Sequence, residues 1–204
     1  MGSKKKKKPP KPSRSSPKPP GTPAFIAKTV PTEEAAFQWA VAFELTSRKL
    51  ERDLVEAIEI TRDAQKLFLV SIPFSVNRAF TIELYLKCIW ALTNRNVEVP
   101  PTHDLDVLRK GLPVQTWSRI VKLYHDHLAR TNTPRRSNLP PHETDSYDLE
   151  AVVYKEGLGF EDWRYGFEGG RVGSASTLPV TDAIRRAIIE LKPEWAAIAV
   201  GLDR

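Results

Sequence analysis

NRAFTIELYLKCIWALTNRNVEVPPTHDLDVL, residues 77 to 108, decides the fold class. Phe80, Leu84, Cys88 and Leu92 recur at helical spacing, and Ile82, Leu86, Ile89 and Trp90 fill the flanks. A helix apolar nearly all round belongs in the middle of a domain. Glu83 and Lys87 interrupt it four residues apart, with the acid first, the favourable order for a helical ion pair. Val99-Pro100-Pro101-Thr102 predicts a turn, and His103-Asp104-Leu105 opens a second helix.

Working outward, helical patterns dominate on both sides. Thr32 reads as an N-cap with Glu33 and Glu34 in the first turn. Phe37, Ala40, Val41, Leu45, Leu50, Leu54 and Ile58 then recur, with no Gly or Pro before Pro73. The expectation is one long helix, or two nearly collinear ones, ended by Pro73, and a central helix over about Ser75–Asn94. Thr102 is expected to cap a short helix over His103–Lys110, with Gly111 ending it. Pro113 sits near the first turn of a helix reaching about Arg130, with Trp117, Ile120, Val121, Tyr124 and Leu128 on its apolar face. Thr131–Pro141 reads as a loop, Asp145–Glu156 as a helix interrupted by Gly157-Leu158-Gly159, and Gly169–Ser176 as another loop. A last helix starts near Pro179 or Thr181, carries Ile184, Ala187, Ile188 and Leu191 on one face, and breaks at Pro193. No segment reads better as a strand, so the fold class is an all-α bundle.

Charge divides the 204 residues into two parts. Lys4 to Lys8, Lys11, Arg14, Lys18 and Lys28 put nine basic groups and no acid into residues 1–31, whereas the remainder carries 22 basic and 25 acidic residues. The high isoelectric point therefore belongs to the N-terminal stretch, and the body is not a generally basic nucleic-acid binder. Residues 1–31 are too poor in apolar groups to offset chain entropy and are expected to be a disordered basic tail. Such a tail suits a polyanion, an anionic lipid or a nuclear import receptor, or serves as a solubilising spacer. The domain is expected over residues 32–204. The single Cys88 cannot form a disulfide within the chain, which fits a reducing, cytoplasmic setting. The longest apolar run, Leu67–Val76, is short and broken by Pro73, so no membrane span is expected. Lys6 stands where a myristoylation signal wants Ser or Thr.

Reactive motifs are few. His125-Asp126-His127 holds three ligand types, but residues two apart diverge on a helix, and no paired metal-ligand spacing occurs, so no metal and no cofactor is expected. Gly157-x-Gly159 and Gly169-Gly170-Arg171 lack the remainder of a nucleotide loop. Glu83 and Lys87 stand out because charges on an apolar helix lose hydration unless paired or used. The bland alternative is an ordinary surface pair. His103 reads either as a structural partner at a helix start or as part of a site. Trp163-Arg164-Tyr165 with Glu168 places a guanidinium among aromatics, where it stacks, holds phosphate, or pins two helices.

Taken in order, Glu83-x-x-x-Lys87 on an apolar helix, Thr102-His103-Asp104-Leu105 after a proline turn, another amphipathic helix and Arg164-Tyr165 resemble the HEPN superfamily of helical domains over roughly Ala35–Leu191. The resemblance implies a bundle of four or five helices, frequently a homodimer, often in bacterial defence or toxin–antitoxin settings. Many such proteins cut RNA without metal, using an Arg followed after four to six residues by a His. Arg119-x5-His125, Arg135-x6-His142 and Arg136-x5-His142 have that spacing, although Ile120 follows Arg119 where the family usually has a polar residue. Other HEPN-like domains lack the motif and act as nucleotide-binding or partner modules. On this resemblance the chain binds or cleaves RNA or binds nucleotides, with His103 transferring a proton and Arg164 stabilising phosphate charge. The competing reading is a non-catalytic interaction module whose polar residues are structural. Glu83, Lys87, His103, Arg164, Tyr165 and Glu168 are the expected site residues. All but Tyr165 are expected to converge on one pocket, because a lone Lys87 ammonium among apolar neighbours would seek carboxylates.

Overall fold

The computed structural model describes residues 32–95, 97–131, 148–164 and 178–202; their regular structure is helical, with no strand among the described residues. Helix α1 is Thr32–Val55, followed by a π-helical segment Glu56–Thr61; α2 is Ala64–Thr93, α3 Leu105–Lys110 and α4 Val114–Arg130. Then come α5, Leu149–Arg164, α6, Leu178–Leu191, and a closing 3₁₀ segment, Pro193–Leu202. Residues 1–31, and with them the tail expectation, lie outside the described residues, as do most of the loop expected over 131–141 and all of that over 169–176.

The bundle is built round α2. It packs against α1, α3, α5 and α6, while α4 packs on α6 and the 3₁₀ segment on α1 and α6. Ile82, Tyr85, Leu86, Cys88 and Ile89 are fully buried, as the apolar pattern of that helix requires. On α1 the inward stripe is Phe37, Ala40, Val41, Glu44 and Ser47. Phe37 stacks on Trp195 with ring centroids 5.3 Å apart, tying the 3₁₀ segment to α1.

Three expected breaks fall elsewhere. Pro73 lies inside α2, not at an end. Its side chain is exposed, so the lost backbone bond falls on the solvent side, where water can satisfy the carbonyl. The real break is at Arg62-Asp63: Arg62 is left-handed (φ 50), and the Asp63 side chain accepts a bond from the Lys66 backbone N–H to start α2. Asp104, not Thr102, caps α3 by accepting from the backbone N–H of Asp106 and Val107; the Thr102 hydroxyl instead accepts from the Asp104 N–H. Gly157 and Gly159 lie within α5, where packing on α2 and α3 outweighs the weak helix preference of glycine. Leu191, expected on the buried face of the last helix, is half-exposed.

Continuity through Pro73 makes α2 30 residues long, and one 18-residue window reaches a mean hydropathy of 1.3, enough to cross a membrane by length and composition. Four neighbouring helices cover its C-terminal two-thirds, which is the packing of a core helix.

Candidate functional site

The α2–α3 turn brings three of the expected residues together. Glu83 lies on the buried side of α2, and its side chain is 3% exposed. Lys87, one turn on, donates from Nζ to Glu83 Oε1 at 2.6 Å. The turn returns the chain so that His103, immediately before the Asp104 cap, sets Nδ1 3.0 Å from each Glu83 oxygen. A carboxylate paired with a lysine only accepts, so Nδ1 carries the proton of that contact and Nε2 lies on the opposite edge of the ring. The Lys87 side chain is 23% exposed and that of His103 55% exposed. One sealed carboxylate thus holds two cation-forming groups at the protein surface.

Arg164 closes the described part of α5; its side chain, Tyr165 and Glu168 lie outside the described residues. The course of α5 is defined. Glu150 pairs with Arg109 at the end of α3, and Gly157 lies against Leu105 at its start, so α5 runs antiparallel to α3. Seven further residues at about 1.5 Å each carry the backbone of Arg164 some 10 Å beyond that level, towards the end of α3 that bears His103.

The three Arg–His spacings fare differently. Arg119 forms a two-toothed ion pair with Glu190 of α6, which raises the arginine's pKa and lowers that of the glutamate. His125 is exposed and edge-on to Tyr124. Arg135, Arg136 and His142 lie outside the described residues.

A second polar cluster, in the bundle interior, is absent from the sequence reading. Glu44, 1% exposed, accepts from the Tyr85 hydroxyl at 2.6 Å and Arg48 at 2.8 Å, with the Thr181 hydroxyl at 3.4 Å and Arg185 Nε at 3.6 Å. Arg185 continues to Asp182 at 2.8 Å, which also meets His127 Nδ1 at 2.8 Å. Burial and the adjoining Glu44 carboxylate push the Tyr85 hydroxyl well above its ordinary pKa. Nearby, Arg78 of α2 and Glu156 of α5 form a buried two-toothed ion pair. Burial raises the Glu156 carboxyl, and the Arg78 guanidinium pulls it back. The one signal available was that Arg78 is a third charge on the same apolar helix. Between the clusters lies a cavity of about 10 Å³, bordered by Glu44, Ser47, Glu51, Arg78, Thr81 and Thr181. That is the size of one water molecule, so the interior cluster offers no room for a nucleotide. The group at His103 reaches the surface, and so does the Asp182–His127 end of the second cluster.

Cys88 is buried and donates its thiol to the Glu33 carbonyl at 3.3 Å; burial, with the Glu33 carboxylate adding to it, pushes the thiol pKa up to about 12. No family model, no curated protein and no solved structure matches the chain.

Proposed function

We propose that this helical protein acts on RNA by metal-independent phosphodiester cleavage, with the Glu83–Lys87–His103 group at its centre. The observation that carries the reading is the contact of His103 Nδ1 with both oxygens of a sealed carboxylate. Such a carboxylate fixes the ring's tautomer and orientation, which is what an imidazole needs to move a proton at a defined point. His103 then takes the proton of a ribose 2′-hydroxyl, whose oxygen attacks the adjacent phosphorus. The 5′-oxygen leaves with a proton from solvent, giving a 2′,3′-cyclic phosphate and a 5′-hydroxyl end. Lys87 and Arg164 lower the energy of the phosphorane charge. The resemblance to HEPN domains supports this assignment and suggests a defence or toxin–antitoxin setting.

The alternative is an interaction module in which Glu83 is a structural anchor, and the 3% exposure of its side chain favours that view. Incubating the full chain with mixed RNA in EDTA separates the two. Cleavage lost in His103→Ala and Arg164→Ala, with cyclic-phosphate ends, supports the nuclease. Intact RNA and no binding leave the module. The basic tail is assigned to polyanion binding: deleting residues 2–20 should weaken binding and flatten its salt dependence, because fewer counterions are released. An unchanged slope makes the tail a spacer.

A further inference from the structure

We infer that Arg130 and Arg186, beside His127, form a binding site for a phosphate monoester on the α4–α6 face. The three groups meet at one atom. Asp182 Oδ2 lies 2.8 Å from His127 Nδ1, and 3.9 Å from a guanidinium nitrogen of each of Arg130 and Arg186. His127 and Arg130 come from the last turn of α4, and Asp182 and Arg186 are one turn apart on α6. The two guanidinium nitrogens therefore stand at most about 8 Å apart, twice the 3.9 Å that separates each from the shared oxygen. A phosphate accepting charge-assisted bonds of about 2.8 Å on two of its oxygens spans such a gap.

The charges around this point select the ligand. In the interior, Glu44 pairs with Arg48 at 2.8 Å and Asp182 Oδ1 with Arg185 at 2.8 Å. On the surface, Asp126 pairs with Lys122 at 2.7 Å and Glu190 with Arg119 at 2.7 Å. Each of these four carboxylates has a nearer cation of its own, so Arg130 and Arg186 add two positive charges beyond the matched pairs. Their side chains are 55% and 37% exposed, within reach of a ligand from solvent. Like charges held this close repel, and a carboxylate already matched by Arg185 does not offset the repulsion. A phosphate monoester near neutral pH carries close to two negative charges, which match the pair. A backbone phosphodiester carries one. Guanidinium groups also present the planar fork that phosphate oxygens fit. The Asp182 carboxylate holds the Nδ1 proton of His127 and leaves Nε2 on the opposite edge of the ring, so the ring is a reporter within the site. This inference uses none of Glu83, Lys87 and His103 and stands or falls separately from the nuclease reading.

Histidine ring NMR signals of the full chain, with His127 assigned through His127→Gln, read this site alone. The titrant is inorganic phosphate at constant ionic strength, which keeps the screening of the basic residues 1–31 fixed. The His127 signal should shift and saturate, with a midpoint of about 1 mM or below. Arg130→Gln with Arg186→Gln should raise that midpoint at least about tenfold, since charge-assisted bonds are the strong ones. Far-ultraviolet circular dichroism should not change, because both side chains reach solvent. Lys110→Gln, which removes one positive charge from α3, should leave the midpoint where it is. Dimethyl phosphate, a monoanionic diester, should bind at least about tenfold more weakly than phosphate. Uridine 5′-monophosphate binding more tightly than phosphate identifies a nucleotide as the source of the group, and equal affinity identifies free phosphate; either result supports the site. A His127 signal unmoved at about 20 mM phosphate overturns the proposal. So does a response kept in the double variant, a midpoint raised as much by Lys110→Gln, a diester that binds as tightly as phosphate, or a response confined to His103.

Discussion

His103 Nδ1 lies 3.0 Å from both carboxylate oxygens of Glu83, and these residues are 20 apart in sequence. The same carboxylate receives Lys87. The α2–α3 turn is therefore held by an ionic clasp as well as by its apolar contacts, and the clasp is open to solvent only on its cationic side.

Removing the two partners should have unequal effects. Lys87→Met leaves the buried Glu83 carboxylate with His103 alone and should cost about 2 kcal/mol, as expected for a charge-assisted bond at a sealed acceptor. His103→Ala removes a half-exposed group and should cost about 1 kcal/mol or less. Urea denaturation of both variants checks the order. Equal costs would mean that Glu83 is hydrated in a way its burial contradicts.

Gly111 is required by Trp90. A Cβ at Gly111 would stand 1.7 Å from Trp90 Cζ3, while Asn94 Nδ2 donates to the Gly111 carbonyl at 3.2 Å. Its φ of −83° is an ordinary helical value, so the requirement is for space and not for backbone freedom. Gly111→Ala should destabilise by about 2 kcal/mol through overpacking. Trp90→Leu in the same chain should recover part of the loss, a coupling that thermal melts of the four variants measure.

The Arg78–Glu156 pair should be costly to halve and cheap to replace. Arg78→Met leaves a buried carboxylate and should cost about 3 kcal/mol. Adding Glu156→Leu should return most of that stability, because neither charge then lacks its partner. A double variant no better than Arg78→Met would mean that the apolar pair cannot pack between α2 and α5.

Alkaline stability should fall in a defined window. Cys88 and Tyr85 hold their protons more tightly folded than unfolded. Above pH 9 the unfolded thiol loses its proton first, so the folded chain binds more protons and stability drops as pH rises. Cys88, shifted from 9.0 to about 12, accounts for an upper bound of about 4 kcal/mol over that interval. Tyr85 adds to the loss above about pH 10. Denaturant midpoints between pH 8 and 11 should decline less steeply in Cys88→Ala. An unchanged slope would place the thiol in contact with water.

Much of the bundle was legible because helical burial is periodic. The spacing of Ile120 and Tyr124 marked the inward face of α4, whereas on α2 the residues read as flanks, Ile82, Leu86 and Ile89, are fully buried and Phe80, Leu84 and Leu92 of the expected stripe are only partly so. Pro73 and Gly157 misled because local propensity amounts to a few kcal/mol at most, and helices packed on several neighbours override it. The Glu83–Lys87 half of the clasp was legible as an i,i+4 pair. Glu44, Tyr85 and Thr181 were not, since their contacts join residues 41 and 137 apart.

By itself, the sequence determined the helical class, the buried position of α2 and the confinement of excess positive charge to residues 1–31, because periodicity and composition are properties of neighbouring residues. Tertiary structure decided where α1 ends, that His103 shares the carboxylate of Glu83, that Arg119 is tied to Glu190, and that Arg78 finds Glu156. Each of these depends on which distant segment packs alongside, and on a polar group buried there needing a partner from outside its own helix.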